Sequence, residues 1–447
     1  MASIAWAEEH KDNHELIRRI MLKANEKKGL GHREAALLLA GADSCELFGL
    51  AGKIKQEFYG SRVVLFAPLY LSNYCVNGCV YCPYNASNET MPRKKLSQDE
   101  IRSEVIALQN MGHKRIVIEA GEHPDFSPID YMMESIDTIY KSGDIRRINA
   151  NIAAATTGEY RMLKSTGIGT YILFQETYHE MTYNAIHPAG PKSDYAWHTE
   201  AMDRAMQGGI DDVGIGALFG LADYRYELTA LLMHAEHLEA VYGVGPHTIS
   251  VPRIRRARGV SAGSFAHGVA DEAFARIVAC LRISAPYTGI IVSTRESEET
   301  RRKVLDAGVS QISGGSRTTV GGYYPGSINT DDTKQFEIND NRSLDEIVKW
   351  LLDSGYIPSF CTACYREGRV GDRFMELCKS GQIQNCCQPN ALMTLQEYLI
   401  DYADVPTRQA GEKLISRELC NITSNKTRSF VLGCLEHIKK GRRDFRI

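Results

Sequence analysis

Leu71 to Tyr84 reads L-S-N-Y-C-V-N-G-C-V-Y-C-P-Y, which sets Cys75, Cys79 and Cys82 in a C-x3-C-x2-C spacing. Three thiolates in one loop can each hold one iron of a [4Fe-4S] cubane and leave the fourth iron open for chemistry. Structural zinc asks for a fourth protein ligand, and this loop has none at hand, so zinc is the weaker alternative. A second group lies far along the chain: Cys361 and Cys364, then the adjacent pair Cys386 and Cys387. Its spacing is C-x2-C-x22-C counted to Cys387 and C-x2-C-x21-C counted to Cys386. Clustered thiols of this kind suggest metal, and one option is structural zinc with His437 or Cys378 as fourth ligand. Cys45, Cys280, Cys378, Cys420 and Cys434 stand apart and read as packing residues.

The elements that must position these thiols form a regular alternation. Strand-like runs are expected at Val63–Leu71, Arg115–Ala120, Arg147–Ala153, Thr170–Gln175, Val213–Leu218, Thr248–Val251, Gly289–Ser293 and Val309–Ser313, separated by amphipathic helical stretches. Ser97, followed three residues later by Glu100, predicts a capping box ahead of a helix carrying Ile101, Val105 and Leu108. Eight β-then-α units fit a closed (β/α)8 barrel, an α/β TIM-type fold, and no G-x-G-x-x-G follows a first strand to suggest a Rossmann site. Residues 1–55 read as an N-terminal helical segment, 56–354 as the barrel and 355–447 as a mainly helical C-terminal module. Beyond Asp340 the alternation stops, with a last barrel helix at Ser343–Asp353.

The 447 residues include 52 Lys and Arg against 55 Asp and Glu, a formal net charge of −3, so bulk charge points to neither nucleic acid nor an anionic membrane. Met1 to Leu30 lacks the apolar core of a secretory signal, and no run of about 18 apolar residues reads as a membrane span. A cytoplasmic location is expected, where 12 cysteines are not a disulfide framework.

The cysteine loop, with Tyr81 before its third thiol, resembles the radical S-adenosylmethionine (SAM) enzymes. The resemblance implies that Cys75, Cys79 and Cys82 hold a [4Fe-4S] cluster whose open iron binds SAM, the source of a deoxyadenosyl radical. Ala120-Gly121-Glu122 resembles the G-G-E of that family, with Ala120 in place of the first glycine, which makes Gly121 and Glu122 SAM-binding candidates. Asn151, Gln175 and Glu176 fall at C-terminal strand ends, where a barrel keeps its working residues.

Phe174 to Tyr178 and Ser250-Val251-Pro252-Arg253 resemble the aromatic amino acid lyases of the superfamily. The tail, with Cys361-Thr362-Ala363-Cys364-Tyr365 and Asn385 to Asn390, is similar to the tyrosine lyases of [FeFe]-hydrogenase active-site assembly, and the thiamin-pathway lyase lacks it. This implies cleavage of L-tyrosine at Cα–Cβ to p-cresol and dehydroglycine, then CO and cyanide delivered as an iron carbonyl cyanide unit. It also implies a second [4Fe-4S] cluster on Cys361, Cys364 and Cys387 with an additional iron held partly by His247, an electron donor such as ferredoxin or flavodoxin, and other hydrogenase maturation proteins as partners. A substrate carboxylate needs a donor fork, expected from Arg317 beside Ser316 at the end of strand 8, with Arg253 and Arg255 available for SAM or substrate. Competing readings are a thiamin-pathway tyrosine lyase and a non-catalytic iron-sulfur scaffold.

Chain direction adds one expectation. All strands of such a barrel point to one mouth, so the loop after strand 1 lies at the top, while the last barrel helix returns the chain to the bottom before Cys361. The two cysteine groups should therefore face opposite mouths, on the order of 20 Å apart or more at ~3.3 Å per strand residue. A passage between them is expected along the small residues Ala153, Gly214, Gly216 and Ala217.

Overall fold

The computed structural model describes residues 1–260, 262–325 and 333–447. Its strands are β1 (Arg62–Ser72), β2 (Arg115–Ala120), β3 (Arg147–Asn151), β4 (Thr170–Glu176), β5 (Asp212–Ala217), β6 (Thr248–Ser250), β7 (Gly289–Val292), β8 (Gln311–Ser313) and β9 (Ile357–Ser359). The first eight pair in parallel in sequence order, and β1 bonds both β2 and β8, which closes the barrel. The helices between them start where side chains cap them: Ser97 accepts from the Glu100 backbone and Glu100 reaches back to the Ser97 backbone, the expected capping box.

Register sets which side chains face the interior. Arg115 pairs with Arg147, Val117 with Asn149 and Glu119 with Asn151, so β2 and β3 carry three matched inward layers. At the middle layer Phe66, Val117, Ile172 and Ile291 form an apolar cluster with Phe174 packed against them, and Asn149 is a polar member beside Val117. Above it the inward residues are polar, and below it they are largely arginine.

Outside the barrel, the His32–Gly41 helix ends on the Arg276 guanidinium, which donates to the Leu38, Leu39 and Ala42 carbonyls. The Leu38 oxygen also accepts from the Ala42 backbone, and the guanidinium supplies further donors at a helix end, where carbonyls run out of intrahelical partners. Among the described residues no helix is long and apolar enough to cross a membrane.

The tail departs from the sequence reading at its start. Ile357–Ser359 forms the ninth strand, parallel to the lower end of β1 through Arg62, Val63 and Val64. Three residues with a proline at the centre leave no period-2 signal to read. The strand docks the tail on the edge of β1 below the point where β2 begins to pair, and it aims Cys361 under the barrel. From there the helices Ile383–Asp401, Val405–Cys420 and Asn425–Lys439 follow. Arg146, at the barrel's base, meets the buried Glu397 at 3.0 Å, and Lys114 donates to the Tyr402 hydroxyl.

Candidate active site and tail cysteine pocket

The loop after β1 is held open by its own backbone contacts. Arg93 donates to the carbonyls of Asn73, Tyr84, Asn85 and Asn88, while Gly78 and Val80 donate to Ala189 and Ile186. With its carbonyls satisfied, the loop turns Cys75, Cys79 and Cys82 onto one cavity of about 240 Å³ at the upper mouth. Burial raises the Cys79 thiol to about 11, with Cys75 adding to the rise and Lys192 opposing it. Cys82 is pushed higher still by burial, then by Cys79 and Cys75. Three thiols that disfavour one another's ionisation, Cys79 buried and Cys75 and Cys82 partly so, are a donor set whose thiolate forms cationic iron would stabilise, so the residues fit a cubane.

Gly121 packs against this loop, where a Cβ would overlap the Tyr74 carbonyl and lie 3.1 Å from the Cys75 Cβ. Glu122 accepts from Asn77 Nδ2 at 2.6 Å, and Tyr81 shares a 2.9 Å hydrogen bond with His187 Nε2. Asn151 donates to Glu119, and Glu176 pairs with Lys192 at 2.8 Å. Glu176 holds a left-handed backbone, φ 66°, a strain that a non-glycine residue keeps only where its surroundings enforce it. The enforcing group is Glu227, which accepts from the Thr177 hydroxyl and the Tyr178 backbone. Tyr81, Gly121, Glu122, Asn151, Glu176 and Ser316 all line the cavity. The Ser316 hydroxyl is buried there without a partner.

Three expected residues are not brought to the cavity. Gln175 alternates away from Phe174 and Glu176 and donates to Thr199. Arg253 is consumed by Glu296, Asp271 and the Val269 carbonyl. Arg317 is exposed, because the chain turns after β8 and only Ser316 points inward. The cavity instead holds Arg295, from the loop after β7. Its guanidinium lies over the Phe336 ring and, among the described residues, makes no hydrogen bond or ion pair. Burial lowers its pKa, against the pull of Tyr70, Glu176 and Glu119. Glu119, on the inward face of β2, has its carboxyl raised to about 8 by burial. The strand-end rule that selected Arg317 applies equally to Arg295, and the β2 alternation could have selected Glu119.

Of the small residues expected along a passage, Ala153 lines the cavity. A Cβ on Gly214 or Gly216 would collide with Thr248 or Phe174, so those positions are filled. Open space follows the opposite side, where the cavity reaches past Val117 and Ile291 to Asn149 and Gln311.

The tail cysteines lie at the lower mouth. Arg115, the first residue of β2, donates to the Cys361 carbonyl at 2.9 Å. Cys364 and Cys387 share a hydrogen bond, which lowers Cys387 to about 6 with help from Arg62 and Arg369 against burial. Burial raises Cys361 to about 11, and Cys387 adds to that rise. Adjacent helical residues point about 100° apart, so the face that turns Cys387 to this pair turns Cys386 away from it. Among the described residues no three His, Cys, Asp or Glu side chains converge as donors on a single ion would. A cubane places each thiolate on a different iron and asks for a wider triangle. Tyr365 reaches from this pocket to His247 Nε2 at 2.9 Å and to Thr170 at 3.0 Å, and the His247 ring packs at a tilt against Phe374. The His247 Nδ1 lies 3.4 Å from Asp212 but is not aligned for a hydrogen bond, so it is a buried, orphaned nitrogen.

The description "Radical SAM superfamily" matches residues 69–227, and "Biotin and Thiamin Synthesis associated domain" matches 250–357. A crystal structure described as "HydG: A maturase of the [FeFe]-hydrogenase" is 51% identical, covers 99% of this chain and 98% of that one, and superposes with a TM-score of 0.95. The FeFe-hydrogenase maturase HydG from Carboxydothermus hydrogenoformans is 40% identical over 97% of each chain, with a TM-score of 0.86. The 2-iminoacetate synthase of Escherichia coli (strain K12) is 32% identical over 310 residues, 69% of this chain and 80% of that protein.

Proposed function

Because the chain belongs to the radical SAM superfamily and, within it, to the family of [FeFe]-hydrogenase maturases and 2-iminoacetate synthases, we propose that it cleaves L-tyrosine to p-cresol and dehydroglycine. We further infer that dehydroglycine yields CO and cyanide, delivered as an iron carbonyl cyanide unit for hydrogenase assembly. The observation that carries this reading is the two-ended barrel: a thiol loop over a cavity at one mouth and a separate cysteine pocket at the other. A lyase that stopped at tyrosine cleavage would have no use for the second.

When bound, the upper cluster and SAM supply a hydrogen-abstracting radical. The chain's own residues do the rest. Asn77, Glu122 and the Glu176–Lys192 pair fix the cysteine loop against the cavity wall. Arg295 offers an unfilled guanidinium to the amino acid carboxylate, and the Ser316 hydroxyl stands free beside the same space. Glu119, neutral near pH 7, can donate one proton as well as accept. Below the apolar layer, Cys361, Cys364 and Cys387 would hold the second cluster, with His247 toward an additional iron.

The test is anaerobic incubation of cluster-loaded protein with SAM, L-tyrosine and a one-electron reductant. The expected products are 5′-deoxyadenosine, p-cresol, and iron-bound CO and cyanide seen by infrared. p-Cresol without the diatomics would make it a lyase of the thiamin type, and neither product would make it a scaffold.

A further inference from the structure

The upper cavity is lined by Tyr70, Tyr81 and Tyr84, phenols whose O–H hydrogen a carbon radical can take. Each hydroxyl is turned to an acceptor in the protein. Tyr70 donates to Gln335 Oε1 at 2.8 Å and Tyr84 to the Thr333 carbonyl at 3.4 Å. Tyr81 meets His187 Nε2 at 2.9 Å, a pair in which either atom can carry the hydrogen. A second contact decides which. His187 Nδ1 lies 2.9 Å from the Tyr183 carbonyl, which only accepts, so the imidazole proton is on Nδ1 and Nε2 is bare. Burial, with Lys192 adding to it, holds His187 down to about 4, so no second proton competes at neutral pH. A phenol has one hydrogen, and that of Tyr81 is spent on His187.

The chain around His187 fixes it against the cysteine loop. His187 caps the Glu180–Ile186 helix, and its backbone N–H donates to the same Tyr183 carbonyl at 3.0 Å. The Tyr183 ring packs at a tilt on the imidazole, with 4.1 Å between centroids. The residues that follow clasp the loop: Val80 donates to the Ile186 carbonyl, Gly78 to the Ala189 carbonyl and the Lys192 backbone to Asn77 Oδ1. Gly190 permits the clasp, since it holds φ 88° and a Cβ there would overlap Asn77. Tyr81 and His187 therefore keep one relative position, and the phenol oxygen turns its lone pairs, not its hydrogen, to the remaining space.

We propose that His187 is a positioning residue that withholds the Tyr81 hydrogen from the cavity, so that a carbon radical formed there is spent on substrate and not on the protein. The reaction it suppresses is one hydrogen-atom transfer. The deoxyadenosyl carbon gains a C–H bond, the Tyr81 O–H bond breaks, and 5′-deoxyadenosine and a tyrosyl radical result, with no other oxidant or reductant. A hydrogen already shared with His187 must leave that bond first, which slows its capture from the other side of the oxygen. The inference rests on the radical chemistry of the family and not on tyrosine as the substrate.

Two measurements test it. In the iron-free full chain with nitrogen-15 histidine, NMR should show a neutral imidazole protonated on Nδ1 that is absent from His187→Phe. In cluster-loaded protein given SAM and a one-electron reductant without substrate, His187→Phe should show a tyrosyl radical by electron paramagnetic resonance, and the wild type none. His187→Phe/Tyr81→Phe should lose that signal, which mere damage at His187 would not explain. His187→Gln, whose amide oxygen can accept in place of Nε2, should suppress it. With L-tyrosine present, the ratio of 5′-deoxyadenosine to p-cresol should rise several-fold in His187→Phe and return toward wild type in the double variant. A His187→Phe chain that cleaves SAM with no tyrosyl signal would overturn the proposal, as would a signal that persists without Tyr81. Should His187→Phe fail to hold its cluster, the wild-type spectrum decides: a proton on Nε2 would free the phenol hydrogen and end the proposal. Absence of p-cresol from the wild type would count against tyrosine cleavage and leave the radical comparison standing.

Discussion

The two mouths of this barrel solve opposite electrostatic problems. The upper cavity crowds Glu119, Glu122 and Glu176 around three thiols and answers them with Lys192 and the unpaired Arg295. The lower pocket gathers Arg62, Arg115 and Arg147 around three more thiols and, among the described residues, answers them with Asp212 and with Cys387, whose thiol is lowered in part by Arg62. An apolar layer of Phe66, Val117, Ile172 and Ile291 stands between. Mixed charge at the top suits a zwitterionic amino acid and SAM, whose sulfonium and ammonium together with its carboxylate carry both signs. Unbalanced positive charge at the bottom suits products that leave as anions. The difference teaches that one strand can serve two sites: β2 carries Arg115 into the lower one and Glu119 into the upper one, on a single inward face.

The most severe way to break the comparison is at the upper loop. Cys75→Ala, Cys79→Ala or Cys82→Ala should each abolish both SAM cleavage and p-cresol, because two thiolates cannot hold a cubane with its open iron poised. Turnover within a few-fold of wild type in any of them would reject the site. At the lower mouth the loss should be as complete but narrower. Cys361→Ala, Cys364→Ala or Cys387→Ala should retain p-cresol and lose iron-bound CO and cyanide, with Cys386→Ala the milder change. A stronger defect in Cys386→Ala than in Cys387→Ala would mean that the helix presents the other thiol to iron.

Arg295→Gln tests what the upper cavity grips. Removing one charge-assisted fork from a buried carboxylate costs about 2–4 kcal/mol, so kcat/KM for tyrosine should fall roughly 10²-fold or more. SAM cleavage in the absence of tyrosine should be little changed. Arg317→Gln, at the exposed position, should leave both within about twofold. If Arg317→Gln is the damaging change, the carboxylate lies toward β8 and the cavity assignment fails.

How much of this was readable follows from distance along the chain. The upper thiols sit within one loop, so type and spacing alone revealed them, and strand alternation revealed the barrel around them. Glu176 and Ser316 were found by the same strand-end rule that misplaced Arg317, because a rule about strand ends cannot tell which of two adjacent loop residues turns inward. Arg295 was missed for the same reason. The lower pocket draws on β1, β2, β3, the residue before β6 and two tail segments, so its arginines looked like ordinary strand starts. β9 escaped notice because three residues make no pattern. Of the small residues expected along the passage, Ala153 does line the cavity, while Gly214 and Gly216 are packed by Thr248 and Phe174 from neighbouring strands, a contact only the register decides.

The smallest expected effect concerns Glu119, which marks the boundary between the polar top and the apolar middle. Burial raises its carboxyl from the usual 4.5 to about 8, while the Asn151 hydrogen bond and Arg295 pull it down and Glu176 pushes it up. Below pH 4 the folded and unfolded chains both hold this proton. Between about 4.5 and 8 the unfolded chain releases it and the folded chain keeps it, so stability contributed by the neutral carboxyl is lost as pH rises through that window. Glu119→Gln removes the titration and keeps the shape and the contact with Asn151. The unfolding free energy of the iron-free wild type, measured by urea titration, should therefore fall relative to Glu119→Gln as pH rises from 5 to 8, by about 1–3 kcal/mol in all, and level off above. The figure stays below the full shift because water entering the cavity screens part of it. Parallel curves across that range would show Glu119 ionised in the folded chain. The upper cavity would then be more anionic than argued, and Arg295 would be answered by Glu119 rather than free for a substrate carboxylate.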